Sequence, residues 1–171
     1  MARTDYILDT NVLIHANGDA PPKCKDKCVD VLFQIVTLSN RVVIDGLGEK
    51  ATSEIIAEYE RNIPIGTPGF GTNFLIWLLT NLTNENHVIR VPITPKDDSF
   101  EEFPVEKRLK TFDRSDRKWI AAARAHHIWN DIEAIIIQSA DMDKWKQYLP
   151  IFSELKDHPF KVELLFECDK K

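Results

Sequence analysis

Short apolar runs alternate with stretches of helical period along this chain. Tyr6-Ile7-Leu8 is a compact apolar run ending at Asp9 and predicts a first strand. Thr10 to Ala16 follows as a short helix entered through a Thr/Asn turn, and Asn17 to Pro22 reads as a loop. Between Cys24 and Leu38, Val29, Leu32, Phe33 and Val36 recur at helical spacing. Arg41 to Asp45 predicts a second strand, and Lys50 to Asn62 a helix that turns Ile55, Ile56 and Tyr59 inward. Residues 63–71 are rich in Pro and Gly and read as a loop before a buried helix over Asn73 to Leu82. His87 to Val91 predicts a third strand closed by Pro92. The polar stretch from Pro95 to Lys110 predicts a mobile connection. Ser115 to His127 reads as a helix and Glu133 to Ile137 as a fourth strand. Asp143 to Tyr148 reads as a short helix stopped by Pro150, and Lys161 to Leu165 as a fifth strand. No internal repeat or low-complexity segment interrupts this order.

Strands separated by helices predict an α/β fold: a three-layer α/β/α sandwich around a mainly parallel sheet. A length of 171 residues suits one domain over 1–171, long enough to fold on its own core. In parallel sheets ligands bind at the carboxyl ends of the strands. Asp9 follows the first strand directly, and Ser139-Ala140-Asp141 follows the fourth, so both acids belong to that rim.

Charge changes the picture next. The net charge is −5, which excludes a strongly basic coat for nucleic acid but not an enzyme with a local site. No apolar run approaches the ~20 residues that cross a bilayer, and the N-terminus lacks a secretory pattern. The three cysteines, Cys24, Cys28 and Cys168, read as thiols of a reducing compartment rather than a disulfide scaffold, and the expected location is cytoplasmic. Cys24 and Cys28 share a helix face, but two ligands make an incomplete zinc site, and no nearby Cys-His pair completes it.

Four segments carry candidate chemistry. Asp9 is delivered by a buried strand, although a cap on the following helix is its ordinary alternative. Glu54 and Glu58 share a helix face, which taken alone a solvated acidic face explains better. Asp113 and Asp116 stand at a helix start, where the dipole favours acids. The small apolar run Ile120-Ala121-Ala122-Ala123 ties that helix closely to a neighbour. Asp141 and Asp143 follow the fourth strand.

In this order the four segments resemble a PIN domain, the metal-dependent ribonuclease fold, over residues 5–148. Leu8-Asp9-Thr10-Asn11-Val12-Leu13-Ile14 is close to that family's opening. Glu58, Asp116 (before Lys118-Trp119-Ile120-Ala121-Ala122-Ala123) and Asp141 (after Ser139) match its other three acids. The resemblance implies hydrolysis of RNA phosphodiesters by water activated on one or two Mg²⁺ or Mn²⁺ ions. Asp9, Glu58, Asp116 and Asp141 would hold the metal, and Asp113 and Asp143 are the additional acids beside them. Thr10, Asn11 and Ser139 would orient carboxylates or waters. Arg61, Arg114 and Arg117 are the candidate phosphate contacts. RNA is the implied substrate, and the resemblance also admits an antitoxin protein as partner, a homodimer, and no membrane. A catalytically weak RNA-binding or protein-interaction module is the alternative. Residues 92–110 and 150–171 exceed the smallest family members.

The residues support the same chemistry independently. Clustered carboxylates repel one another unless a cation or proton intervenes, and oxygen-only donors select Mg²⁺ or Mn²⁺ over zinc. Trp119 reads as core, Trp129 as a candidate base-stacking residue. His126 and His127 stand roughly 15 Å along the helix from Asp116, too far for a general base there. Gly46-Leu47-Gly48-Glu49-Lys50-Ala51 imitates a dinucleotide fingerprint, but no strand-closing acid follows at the required distance. An aspartyl-phosphate phosphatase would want an acid where Asn11 stands.

Overall fold

The computed structural model describes residues 2–47, 52–165 and 168. The opening apolar run forms β1 (Asp5–Leu8). Asp9 then caps α1 (Thr10–Ala16), accepting from the Asn11 backbone N–H at 2.9 Å. α2 (Pro22–Thr37) starts on a proline, whose missing N–H has no helical partner to lose there. β2 (Arg41–Asp45) follows, then α3 (Glu54–Asn62), α4 (Phe70–Thr80) and β3 (Val88–Val91). A small antiparallel hairpin, β4 (Pro95–Lys96) and β5 (Ser99–Phe100), comes next. Two 3₁₀ turns, Lys107–Leu109 and Arg114–Asp116, lead to α5 (Arg117–Asn130). The chain ends through β6 (Ala134–Gln138), α6 (Met142–Lys146), α7 (Leu149–Glu154) and β7 (Phe160–Leu164).

The main sheet has the order β3-β2-β1-β6-β7, and all its pairings are parallel. Tyr6 pairs with Val42, Ile7 with Ile136, Val43 with Ile89 and Ile136 with Val162. Helices cover the sheet, giving the three-layer α/β/α sandwich. The core strands read as near-continuous apolar runs because both faces are covered; Val42, Val43 and Ile44 of β2 are all buried. The edge strand β7 instead alternates, with Lys161 and Glu163 outward. From β1 the order runs through β2 to β3 on one side and through β6 to β7 on the other. The winding therefore reverses between β1 and β6, the position where open α/β sheets leave a crevice.

α5 crosses the sheet with Trp119 through Ala123 fully buried; its alanines let the helix lie close to the strands. α1 packs against α2 and α4, and Gly71 makes the α1–α4 approach close. A Cβ on Gly71 would stand 2.0 Å from the Leu13 carbonyl oxygen. Asn17 fixes the same junction, accepting from Thr72 N at 2.9 Å and donating to Thr72 Oγ1 at 3.0 Å.

Several expectations are corrected. Residues 95–110 are not a featureless connection: they form the hairpin and a 3₁₀ turn, and they bury Phe103 and Leu109. Phe103 stacks on Phe112 at 5.9 Å, and Phe112 makes edge contacts with Trp145 (5.1 Å), Tyr148 (5.1 Å) and Phe152 (5.5 Å). These rings are distant in sequence, so no local period announces the cluster. Pro150 does not end the helical region, because α7 starts at Leu149 with the proline in its first turn. α4 starts at Phe70, inside the expected loop. The cysteines are not all thiols: Cys24 and Cys168 form a disulfide, and Cys28 is free and buried. Lys50 and Ala51 of the expected third helix, and Gly48 to Ala51 of the imitation fingerprint, lie outside the described residues. No helix among the described residues is long and apolar enough to cross a membrane.

Candidate functional site

The site is assembled at the reversal between β1 and β6. Asp9 leaves the end of β1 buried, at 3% exposure. Its Oδ1 accepts from the Asn11 backbone N–H and from Asn11 Nδ2, both at 2.9 Å. Gln138, the last residue of β6, sets its side-chain amide beside Asp9, where it favours the charged carboxylate. The oxygen of that same amide accepts from the Ser139 and Ala140 backbone N–H groups at 2.9 and 3.1 Å. The cap and the site are thus one arrangement of one carboxylate, not alternatives.

α3 brings Glu58. Asp45, at the end of β2, anchors that helix by accepting from Ser53 Oγ (2.7 Å), Glu54 N (2.7 Å) and Ile55 N (3.0 Å). Glu58 stands one turn further on, where its Oε1 accepts from Thr10 Oγ1 at 2.6 Å and its Oε2 pairs with the Lys118 ammonium. Lys118 also donates to the Ser115 carbonyl. Tyr59, beside Glu58, donates to the Leu8 carbonyl at 2.5 Å and pins α3 to the end of β1.

Asp116 enters from the start of α5 without capping it; its Oδ2 accepts from Trp145 Nε1 at 3.2 Å. Asp113, the neighbouring candidate, is engaged in its own turn, accepting from Ser115 N and Oγ at 2.9 and 2.8 Å. These bonds hold the Asp113 carboxyl below its ordinary range.

The electrostatics separate the core of the site from its rim. Burial, reinforced by the Glu58 charge and opposed by the Asn11 bonds, pushes Asp9 up to about 6. Burial and repulsion from Asp9 and Asp113 push Asp116 up to about 7, against the pull of Lys118 and Trp145. Asp9, Glu58 and Asp116 therefore share one electrostatic environment. Asp141 lies at the same end of the sheet, but its side chain is 56% exposed and pairs with Lys144 at 3.4 Å. Its φ of 51° puts it in the left-handed region. Asp143 is exposed on α6.

The other candidates divide. Thr10 donates to Glu58 and Asn11 to Asp9. Ser139 instead turns its hydroxyl to His15 Nδ1 at 3.0 Å. Arg114 pairs with Asp98 at 2.8 Å. Arg117 donates to the carbonyls of Lys110 and Phe112 and covers the Phe103 ring. Arg61 is exposed on α3. Trp119 is core, as expected, and Trp129 is exposed at the far end of α5, roughly 20 Å from Asp116. His126 belongs to the opposite end of the sheet, where its Nε2 lies 2.8 Å from Asp5. Burial alone would raise the Asp5 carboxyl; bonds from His126 and Arg41 outweigh it and hold Asp5 low.

Sequence reasoning missed Gln138 and the anchoring role of Asp45. Asp45 carried the same signal as Asp9, an acid at the end of a buried strand. Gln138 carried none, because its role depends on β6 lying beside β1.

Fold and site together define a doubly wound α/β protein with a carboxylate cluster, Asp9 buried and Glu58 and Asp116 half-buried, at its topological switch point. Comparison with family models, curated proteins and solved structures gives no significant match.

Proposed function

We propose that the chain is a ribonuclease dependent on Mg²⁺ or Mn²⁺, acting at the pocket of Asp9, Glu58 and Asp116, with Asp141 at its rim. One observation carries this reading: at the switch point Asp9 is buried and raised by burial and the Glu58 charge, and half-buried Asp116 is raised by burial and the Asp9 charge. The donor set fits a hard divalent cation, since all three acids offer oxygen and a cation relieves their repulsion. A bound cation would activate water and stabilise negative charge on a phosphodiester.

The chain's own residues prepare that chemistry. Asn11 holds Asp9 in one orientation, Thr10 holds Glu58, and Trp145 holds Asp116. Lys118 neutralises Glu58 and places a positive charge beside the acids, where a phosphate would approach. The surface needs no general basic coat, because charge at the pocket can act locally.

The Lys118–Glu58 pair also favours a second reading, in which the internal ammonium substitutes for a metal and the pocket only binds RNA or protein. Incubating the purified protein with single-stranded and hairpin RNA, with Mg²⁺, Mn²⁺ or EDTA, separates the two. The nuclease reading expects cleavage with either metal, none in EDTA, and none by Asp9→Asn. RNA retained intact with metal present, by a chain that still binds it, supports the second reading.

A further inference from the structure

A second cluster, of different chemistry, lies beside the acidic pocket. α2 presents Cys24 and Cys28, one turn apart, toward the core, and both are fully buried. α1 contributes His15 from its last turn, and Cys168 arrives from the end of the chain. The four potential ligand atoms all lie within 4.8 Å of one another. A tetrahedral zinc with three thiolates and an imidazole needs ligand separations of roughly 3.6–3.8 Å, from bond lengths of ~2.3 Å to sulfur and ~2.0 Å to nitrogen. Once the disulfide is opened and its two sulfurs have moved apart to that separation, shifts of about 1 Å or less bring the remaining ligand pairs to it.

We propose that in the reduced chain His15, Cys24, Cys28 and Cys168 bind one zinc ion as a structural Cys₃His site. The disulfide uses only Cys24 and Cys168. It leaves unexplained why Cys28 and His15 meet the same point: His15 Nδ1 is 3.4 Å from Cys24 Sγ. Zinc accounts for all four. Burial keeps His15 toward its neutral, ligating form and pushes the Cys28 thiol up to about 11, a penalty that a bound cation removes. Ser139 Oγ lies 3.0 Å from His15 Nδ1, the same ring nitrogen that faces Cys24 Sγ, so this contact gives way when that nitrogen ligates zinc. Three soft thiolates select zinc, whereas the oxygen-only pocket selects Mg²⁺ or Mn²⁺, so the two sites do not compete. The zinc would fasten the end of the chain to α1 and α2. Asp9 caps α1, so the fastening also braces the helix beside which the acidic cluster is built.

Opening the disulfide balances with a phosphine reductant. The phosphine supplies two electrons and takes the oxygen of one water as the S–S bond breaks, and the two water protons end on Cys24 and Cys168. Zinc then displaces three thiol protons, including that of Cys28.

The test uses the full chain, reduced anaerobically with a phosphine, supplied with zinc and freed of loose metal by gel filtration. Zinc is measured by elemental mass spectrometry. Thiols are counted by alkylation in denaturant with a chelator, without further reductant. The proposal expects one zinc per chain, three alkylated cysteines, and tetrahedral thiolate absorption when cobalt replaces zinc. It expects Cys28→Ser and Cys168→Ser, each checked for native circular dichroism, to weaken zinc binding at least tenfold. Three free thiols without stoichiometric zinc, a disulfide that persists so that only Cys28 is alkylated, or unweakened zinc in folded Cys28→Ser would overturn it. None of these readouts depends on RNA cleavage, so this proposal and the nuclease reading fail separately.

Discussion

Asp9 carries two roles with one carboxylate, and they oppose each other. As a cap it stabilises α1; as a buried charge facing Glu58 and Asp116 it destabilises the fold. Its folded pKa of about 6 lies above the ordinary carboxyl value. Between the two values the folded chain holds more protons than the unfolded chain, so stability falls as pH rises from about 4 to about 6. Asp116 extends that fall to about 7. Asp9→Asn keeps a good cap and removes the charge. It is expected to raise unfolding stability at pH 7.5 by about 1–3 kcal/mol and to flatten this pH dependence, both read from urea titrations without metal. Unchanged stability and an unchanged pH profile would contradict the burial argument. Lys118→Met should act in the opposite direction. It leaves Glu58 unpaired in a half-buried place and should cost about 1–3 kcal/mol in the same titration, with Mg²⁺ recovering part of the loss. Asp9 was legible in the sequence because a strand end announces itself locally. The Lys118–Glu58 pair was not, because its partners meet only when α3 and α5 pack together.

At the scale of elements, the site depends on how three helix starts are held. α1 is capped by Asp9, α3 is anchored on Asp45, and α5 brings Asp116 in without capping itself. The central strands and these helices were readable from apolar periodicity, since each buries one continuous surface. The hairpin of residues 95–100 was not readable, because its attachment is an aromatic cluster spread from Phe103 to Phe152. That cluster reaches the site through Trp145, which packs on Phe112 and donates to Asp116. Trp145→Phe keeps the ring and loses the donor. It should weaken Mn²⁺ binding by about 10-fold or more while the fold is retained, as loss of an outer partner does to a metal site. Unaltered Mn²⁺ affinity would remove Asp116 from the metal set. Gly71→Ala drives a methyl group toward the Leu13 carbonyl. It should destabilise the chain by about 1–3 kcal/mol in denaturant titration; no loss would mean that α1 and α4 separate without cost.

For the whole molecule, the surplus of acids is partly local. The chain is −5 overall, and the pocket concentrates like charge where the sheet order reverses. The parallel sheet decides this placement: it sends the ends of β1, β2 and β6 to one rim, and with them Asp9, Asp45 and Gln138. The opposite rim holds the paired and satisfied Asp5, Arg41 and His126. One end of the sheet is therefore electrostatically closed, and the other carries the raised carboxylates that the proposed cation would neutralise. The most direct test of that claim is the Mn²⁺ concentration dependence of RNA cleavage by the wild-type chain and by Asp116→Asn, followed at pH 8 on one labelled RNA. The account expects saturable activation of the wild type. It expects Asp116→Asn to lose at least the ~100-fold that outer partners of metal sites reach. Cleavage that is independent of Mn²⁺, or undiminished in Asp116→Asn, would contradict it.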